Sequence, residues 1–531
     1  MSGIAPLFIG VSGKTEPLTA ETAGSKAAQL WRMSGLGLNV PPAFVMPTGL
    51  CAAINRDDPK ALATLTGGLE EGIAKLEKTT GRRFGDPRAP LLVSVRSGAA
   101  QSMPGMLSTI LDVGLNADSV QGLIGLTGNP RLAWDSYRRF IQIYAEVVLE
   151  VPAAAFEAAL ARMLQSEDAA DETELDPEAL ERLAQEFRFV AVRTAGRPVP
   201  DRPMDQLAAA AQAVYRSWDG PRAREYRRLN GLKGLAGTAV TVQTMVFGNA
   251  GGRSGAGVAF SRNPATGEKG LYVDFLSDAQ GEDVVSGRRM PSDAALFALR
   301  LPEGASELAD GAQRLEREYR DVQDIEFTVE HGTLFFLQTR SAKRTPRAAL
   351  RILIDFVHEG LIDPATALQR VAAIDLDRTH VTRFADQAPA IATAVSASPG
   401  VATGRMAFDS SRAKALAAGG EPVVLVRHDT STEDIAGFAV AAGILTAVGG
   451  RTAHAAVVAR QLGKVCLVGC HELRIREDGE GGEIAGRKIV EGDWVSLDGD
   501  HGEVTLGRRE IIAELPQAEL AEIDAWRVAV G

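Results

Sequence analysis

The sequence predicts a multidomain protein of mixed α/β and α+β class. Its 531 residues suffice for several domains of roughly 100 to 200 residues, each with its own hydrophobic core. Strand-like runs rich in β-branched residues alternate with segments of helical periodicity along the chain. A loose segment at residues 386–400 (DQAPAIATAVSASPG) interrupts this alternation and predicts a domain boundary.

The first part of the chain, residues 1–340, is predicted to hold two groups of strands separated by helices. The run LLVSVRSG at residues 91–98 is typical of a buried strand that enters a glycine-rich loop, AAQSMPGM. Helical periodicity predicts a helical insert at about residues 117–218. Alternating patterns then return, and within residues 324–340 the HG pair at His331 and Gly332 predicts the turn of a hairpin.

The second part of the chain is predicted to begin with helices. The pattern indicates a helical connector at residues 341–390, a compact αβ domain at residues 391–507 and a helical tail at residues 508–531. The longest apolar stretch, residues 436–448 (AGFAVAAGILTAV), is shorter than the ~18 residues that a membrane-spanning helix needs. We interpret it as core strand.

Composition excludes several classes of function. The 68 acidic and 57 basic residues give a net charge of -11, so no global basic field attracts nucleic acid or an anionic membrane. The N-terminal residues lack the basic start and sustained apolar region of a secretory signal, which favours a cytoplasmic location. The three cysteines cannot form a disulfide framework and have no CxxC metal spacing.

The segment GGRTAHAAVVARQLGKVCLVG, residues 449–469, places His454 between an apolar strand and a helix. A histidine at the start of a helix lies beside unpaired backbone amides and the positive end of the helix dipole, which favour a phosphate on the ring. A neutral imidazole is a competent nucleophile near pH 7. The spacing alone leaves open a second interpretation, in which His454 is a capping or surface residue.

Two further residues suggest a metal site. Glu326 and Gln338 lie on either side of the predicted HG turn, so a hairpin would place them on adjacent strands. A carboxylate and an amide oxygen are hard ligands suited to a Mg²⁺ ion that also contacts nucleotide phosphates. Arg340 follows Gln338 by two residues and therefore projects to the same face of its strand.

These segments resemble the pyruvate phosphate dikinase family of phosphoenolpyruvate-utilising enzymes. The run around His454 is similar to the family's phosphohistidine signature, and SVRSGAAQSMPGMLSTILDVGLN at residues 94–116 is similar to its nucleotide-binding region. Arg451 and Ala453 stand where the family usually has Met and Ser. The resemblance implies an ATP-grasp region over residues 1–340, followed by a swivelling β/β/α phosphohistidine domain over residues 391–507.

The resemblance also implies roles for individual residues. His454 would be the catalytic residue that carries the phosphoryl group, Glu326 and Gln338 would bind Mg²⁺, and Thr452 would be a site of regulatory phosphorylation. The residues expected to bind ATP and its phosphates are Lys26, Arg96, Gly105, Glu282 and Arg340.

The function implied is phosphorylation of His454 from ATP and inorganic phosphate, with release of AMP and pyrophosphate. Onward transfer to pyruvate, forming phosphoenolpyruvate, would require a TIM-barrel domain that this sequence lacks. Either a separate pyruvate-binding subunit supplies the barrel, or the chain represents a truncated or split dikinase. Two alternatives stay open. The same half-reaction could serve another acceptor on a partner protein, or the chain could be a non-catalytic nucleotide-binding regulator.

Overall fold

The computed structural model of the chain describes residues 5–11, 16–101, 103, 107–286, 291–430, 434–451, 454–476, 479 and 481–530. The chain divides into two compact units, Met1–Gly251 with Phe335–Gln338, and Gly252–Leu334 with Thr339–Gly531. Within the described ranges, no helix is both long enough and apolar enough to cross a membrane.

The first unit is built on a five-stranded antiparallel sheet in the order β1-β2-β7-β5-β6, beside a small parallel pair, β3 and β4. Its strands are β1 (Leu7–Ile9), β2 (Ala43–Met46), β3 (Arg83–Phe84), β4 (Pro90–Leu91), β5 (Val93–Ala99), β6 (Thr109–Val113) and β7 (Thr238–Thr244). Every residue of β2 and β7 is buried, as expected of strands inside a sheet covered by helices.

Helices cover this sheet and fill most of residues 117–229. They are α1 (Ala20–Ala23), α2 (Ser25–Gly35), α3 (Cys51–Ile54), α4 (Pro59–Thr80), α5 (Ala117–Thr127), α6 (Pro130–Val148), α7 (Ala153–Glu167), α8 (Pro177–Ala195), α9 (Pro203–Ser217) and α10 (Pro221–Leu229). Local sequence fixes several boundaries. Asp58, before Pro59, caps α4 by accepting from two backbone amides, and Gly81 ends that helix in the left-handed conformation.

The second unit contains a four-stranded antiparallel sheet in the order β11-β10-β8-β9 and an eight-stranded mixed sheet in the order β13-β23-β22-β15-β16-β17-β18-β14. Its strands are β8 (Gly255–Arg262), β9 (Lys269–Ser277), β10 (Gln323–Glu330), β11 (Thr333–Ser341), β12 (Val381–Phe384), β13 (Ala392–Thr393), β14 (Val395–Ser398), β15 (Val401–Ala407), β16 (Val423–Arg427), β17 (Gly443–Thr446), β18 (Val465–Val468), β19 (Leu473–Ile475), β20 (Gly481–Ile484), β21 (Arg487–Val490), β22 (Trp494–Asp498), β23 (Glu503–Leu506) and β24 (Ile511–Glu514).

The helices of the second unit are α11 (Gly281–Ser286), α12 (Ala294–Arg300), α13 (Pro302–Tyr319), α14 (Pro346–His358), α15 (Pro364–Val371), α16 (Ser410–Ala418), α17 (Ile435–Val440), α18 (His454–Leu462) and α19 (Gln517–Val530). In the eight-stranded sheet, β15 to β18 are parallel neighbours, and α16, α17 and α18 lie between them in sequence. The predicted mixed α/β architecture is confirmed.

Two sequence predictions in this unit have different outcomes. The predicted HG turn is present, because His331 and Gly332 both have left-handed φ angles and join β10 to β11. The prediction of strand for residues 436–448 is wrong for its first half. Residues 435–440 form α17, which buries Phe438, and the strand β17 begins at Gly443. A short apolar run does not by itself distinguish a buried helix from a buried strand.

A buried ion network ties the four-stranded sheet to its helices. The side chain of Arg262, at the end of β8, is fully enclosed and contacts Glu316 on α13 at 2.8 Å and Asp355 on α14 at 3.4 Å. It also contacts Glu359 at 2.8 Å. Three carboxylates around one guanidinium group compensate its burial, so the network fixes α13 and α14 against the strand.

We predict that Arg262→Met destabilises the second unit by about 3–5 kcal/mol, because it leaves a largely buried Glu316 without its partner. Hydrogen exchange of peptides from β8, α13 and α14 measures the change. Arg253→Met is the control, since Arg253 pairs with Glu303 on the exposed surface and such pairs contribute at most about 1 kcal/mol. Equal effects of the two substitutions would contradict the structural role of the network.

Candidate functional site

Arg96 lies on β5, an inner strand of the sheet of the first unit. Its register neighbours are Thr241 on β7 and Thr109 on β6. The Nε atom of Arg96 is buried and has no hydrogen-bond partner among the described residues. A guanidinium group with an unused Nε donor in a partly buried position suits an anion such as phosphate.

Lys26 lies in the first turn of α2, close in sequence to a tight contact with β5. Gly24 has a φ of 80°, and a Cβ atom built on it would lie 2.2 Å from the carbonyl oxygen of Gly98. The hydroxyl of Ser25 donates to the carbonyl of Ala99 at 3.1 Å. These two contacts dock the start of α2 on the end of β5, so they fix the backbone that carries Lys26 relative to the strand that carries Arg96.

In the second unit, one face of the four-stranded sheet carries several acidic side chains. On β10, Asp324 pairs in register with Phe260 and Glu326 pairs with Val258. On the other side of β8, Phe260 pairs with Tyr272 on β9, and Val258 pairs with Asp274 on β9. Directly opposed residues of antiparallel strands share a face. Asp324, Glu326 and Asp274 therefore lie on one face, with two aromatic rings beside them.

Arg340 supplies a positive charge at this face. Its Nε donates to Oδ2 of Asp324 at 2.8 Å. Burial raises the pKa of Asp324 and the charge of Arg340 opposes this effect, while the nearby Glu326 adds to it. Burial also acts to lower the pKa of Arg340, but its charge interaction and hydrogen bond with Asp324 raise that pKa overall. Arg340 therefore stays cationic and is held in a fixed direction.

The donor set of this face fits a divalent cation. Oδ1 of Asp324 is buried and accepts no hydrogen bond from the described part of the chain, and the neighbouring Glu326 disfavours further negative charge. Within the described ranges, no three His, Cys, Asp or Glu side chains cluster closely enough to hold a metal ion. Mg²⁺ commonly takes one or two carboxylates and completes its shell with water and substrate phosphates. An incomplete set of protein ligands, such as Asp324 and Glu326, suits an ion whose remaining ligands are water and nucleotide phosphates.

Helix α18 begins at His454, as the sequence predicts. Ala455, Ala456 and Ala459 are buried against the eight-stranded sheet, and Gly463 follows the helix with a left-handed φ of 61°. The structure describes the backbone of His454 but not its side chain. The backbone places this residue at the N-terminus of a nine-residue helix, where the helix dipole favours negative charge.

The segment before α18 lies against the acidic face of the four-stranded sheet. A Cβ atom built on Gly450 would lie 2.7 Å from Cγ of Pro291 and 3.6 Å from Oδ2 of Asp274. The guanidinium carbon of Arg451 lies 4.9 Å from the ring centroid of Tyr272. The structure therefore brings the helix that starts at His454 onto the sheet face that carries Asp324 and Glu326.

The other predicted residues have different positions. Glu326 lies on β10 and Gln338 on β11, which are adjacent strands of one sheet. Glu282 lies in α11, and its side chain is outside the described coordinates. Gly105 and Thr452 lie outside the described residues. Lys26, Arg96 and Gln338 belong to the first unit, whereas Glu326, Arg340 and His454 belong to the second.

Sequence reasoning missed three residues of this site. Asp324 precedes Glu326 by two residues and shares its face, so the period of a strand could have identified it. Arg460 is a charged residue within the apolar run AAVVAR, which is a signal of a buried guanidinium group. Tyr272 carries no local signal, because its contact with Arg451 joins residues distant in sequence.

We predict that Gly24→Ala destabilises the first unit, because a Cβ atom would collide with the backbone of Gly98 and the backbone of Gly24 is in a region that favours glycine. The backbone strain alone costs about 1–3 kcal/mol. Thermal unfolding and hydrogen exchange of α1 and α2 measure it. Gly35→Ala is the control, since a Cβ atom at that position meets nothing within 4 Å. A Gly24→Ala variant as stable as the control would refute the docking contact.

Comparisons with known proteins identify the family. A model described as the AMP/ATP-binding domain of pyruvate phosphate dikinase matches residues 61–303 and 298–360. A model described as the mobile domain of PEP-utilising enzymes matches residues 419–502, which include α18. The two matches agree with an ATP-grasp region followed by a phosphohistidine domain.

Individual relatives give the same result. The chain is 45% identical over 508 residues to pyruvate, phosphate dikinase of Clostridium symbiosum, covering 95% of this chain and 58% of the relative. It is 44% identical over 507 residues to the chloroplastic enzyme of Flaveria trinervia, covering 95% and 53%. For the chloroplastic enzyme of Zea mays the identity is 42% over 510 residues, covering 95% and 54%. The chain thus spans a little over half the length of these relatives, and it belongs to the pyruvate phosphate dikinase family.

Proposed function

We propose that this chain transfers a phosphoryl group from ATP to His454 and presents it for onward transfer. The observation that carries the proposal is the position of α18, whose first residue is His454, on the acidic sheet face that carries Asp324 and Glu326. A nucleophile at a helix N-terminus beside a cation-binding carboxylate face is the arrangement that phosphoryl transfer needs. The family membership of the chain supports the same activity.

The proposed half-reaction has two steps. The imidazole nitrogen of His454 attacks the β-phosphorus of ATP, the bond from that phosphorus to the α-phosphate oxygen breaks, and AMP leaves. Inorganic phosphate then attacks the terminal phosphorus of the protein-bound pyrophosphoryl group. Pyrophosphate leaves, and one phosphoryl group stays on His454. Such transfers depend mainly on positioning and on charge neutralisation.

Individual residues serve these two needs. Lys26 and Arg96 are proposed to bind phosphate oxygens, and Glu282 and Gly105 are proposed to contribute to the nucleotide site. Glu326 and Gln338 would hold Mg²⁺, with Asp324 beside them, and the ion would neutralise charge on the phosphates. Arg340 is held by its hydrogen bond to Asp324, and its remaining donors are proposed to stabilise the charge that develops during transfer.

The proposed final acceptor is pyruvate bound on a barrel domain that lies outside this sequence. The names of the relatives support pyruvate as the acceptor, since each relative is a pyruvate, phosphate dikinase. Inorganic phosphate is the proposed second phosphoryl acceptor. Thr452 lies two residues before His454 and is proposed as a regulatory site, because a phosphate there would place negative charge beside the nucleophile.

We predict that incubation with Mg²⁺ and ATP yields an acid-labile adduct, detectable as added mass on the intact chain. Without inorganic phosphate the adduct carries two phosphoryl groups, and AMP is released. With inorganic phosphate it carries one, and pyrophosphate appears. His454→Ala gives neither adduct. An unmodified parent chain under all of these conditions, with ATP shown to bind, would overturn the proposed function.

We also predict that Arg340→Met slows formation of the adduct by roughly 100-fold, because it removes a preorganised positive charge near the transferred group. Rapid-quench measurement of a single turnover gives the rate. Arg383→Met is the control, since Arg383 lies on β12 and pairs with Glu514 on the exposed surface. A rate for Arg340→Met within a factor of about two of the control would exclude Arg340 from charge stabilisation.

A further inference from the structure

Two aromatic rings stand side by side on the four-stranded sheet. Phe260 on β8 and Tyr272 on β9 are register partners, and their ring centroids lie 6.3 Å apart. Phe260 is almost fully buried, whereas Tyr272 keeps partial exposure. The pair forms an apolar platform at the edge of the acidic face.

Two guanidinium groups from the segment around α18 lie over these rings. The guanidinium carbon of Arg451 is 4.9 Å from the ring centroid of Tyr272, and that of Arg460 is 5.6 Å from the ring centroid of Phe260. Both distances fall within the ~6 Å range of cation–π attraction. Nε of Arg451 is buried and has no hydrogen-bond partner among the described residues.

The two arginines are also joined to each other. Nη1 of Arg460 donates to the carbonyl of Arg451 at 2.8 Å and to the carbonyl of Ala397, at the end of β14, at 3.0 Å. Arg460 therefore fixes the backbone of Arg451 to the domain that carries α18. The side chain of Arg451 extends from this fixed backbone to Tyr272 on the other sheet.

The local charges favour the same arrangement. Burial raises the pKa of Tyr272 to about 12, so its phenol stays neutral and presents an electron-rich ring face. Asp274 lies in the same strand two residues on and adds negative charge near Tyr272 and Arg460. These charges therefore favour a guanidinium group at the position of Arg451, over the ring of Tyr272.

We infer that Arg451 is a positioning residue, which holds the segment before His454 on the nucleotide-binding sheet through its contact with Tyr272. The inference rests on the proposed function. Arg451 precedes His454 by three residues, so its contact limits where the nucleophile can lie. The role is to raise the fraction of molecules in which His454 faces the bound nucleotide.

A direct phosphate-binding role for Arg451 is the competing explanation, and the two differ in what Tyr272 does. If Arg451 acts through the ring of Tyr272, the two single variants lower the rate of adduct formation by the same factor, and the double variant lowers it little further. If Arg451 binds phosphate, its loss weakens ATP binding whether or not Tyr272 is present. A double-mutant cycle on the two residues therefore separates the explanations.

The experiment compares Arg451→Met, Tyr272→Leu and the double variant in two measurements. The first is the single-turnover rate of adduct formation at saturating ATP, together with the dissociation constant for ATP. The second is hydrogen exchange of peptides from β8, β9 and α18 without nucleotide. Arg451→Lys and Tyr272→Phe are conservative variants, because each keeps a cation or a ring at its position.

We expect each single variant to slow adduct formation by about 3- to 30-fold, with ATP affinity unchanged. The double variant should be within about two-fold of the slower single variant, and both conservative variants should retain most of the rate. Hydrogen exchange should accelerate in β9 and α18 in both single variants. Arg508→Met is the matched control, since Arg508 lies 4.9 Å over Trp494 on the eight-stranded sheet, and it should change neither measurement.

Two results would overturn the inference. If the rate loss of the double variant equals the product of the two single-variant losses, Arg451 and Tyr272 act independently. A weaker ATP affinity in Arg451→Met alone would assign the residue to phosphate binding. Hydrogen exchange reports on the contact whether or not the protein is catalytically active. If the parent chain forms no adduct but the single variants exchange faster, the contact between Arg451 and Tyr272 is supported and the proposed function is rejected.

Discussion

The buried guanidinium group of Arg460 must have its charge compensated, and the arrangement of the second unit around the acidic face depends on how this is achieved. Removal of a charge from water costs several kcal/mol. Burial lowers the pKa of Arg460, while Asp274 and Asp324 oppose that effect from the four-stranded sheet. Its hydrogen bonds go instead to carbonyls of the domain that carries α18. Because the compensating groups belong to both the four-stranded and the eight-stranded sheet, Arg460 can stay buried only while the two sheets are packed together.

The four-stranded sheet itself contributes three carboxylates to the acidic face, Asp274, Asp324 and Glu326, and one arginine, Arg340. Asp324 is paired with Arg340 through one oxygen, and burial still raises the pKa of Asp324. Glu326 adds a second carboxylate on the same strand. A triphosphate alone would be repelled from this face, whereas a triphosphate with a divalent cation would be attracted to it. These charges support the proposal that the nucleotide binds together with a divalent cation.

Sequence patterns predicted the local features of this site and missed its long-range contacts. The turn at His331 and Gly332 and the helix start at His454 depend on residues within a few positions, and both were predicted correctly. The apolar run at residues 436–448 lacked such a local signal, and its first half was assigned wrongly. The contact of Arg451 with Tyr272 joins two domains of the chain, so no local period contains it. The roles of Lys26, Arg96 and His454 stay predictions that rest on family resemblance.

Proposed transfer to a second acceptor requires His454 to leave the sheet, so the docking contacts have to be reversible. A cation–π contact contributes about 0.5–2 kcal/mol, which biases a position without locking it. Burial of the guanidinium group of Arg460 costs free energy, because the group loses its hydration. Undocking restores that hydration, so the burial cost reduces the net free energy of docking. Phosphorylation adds about two negative charges next to a face that already carries Asp274, Asp324 and Glu326. In the proposed reaction, this repulsion would favour departure of phosphorylated His454 once the metal and the nucleotide products have left, so the carboxylates proposed to attract metal-bound ATP would also favour release of the product.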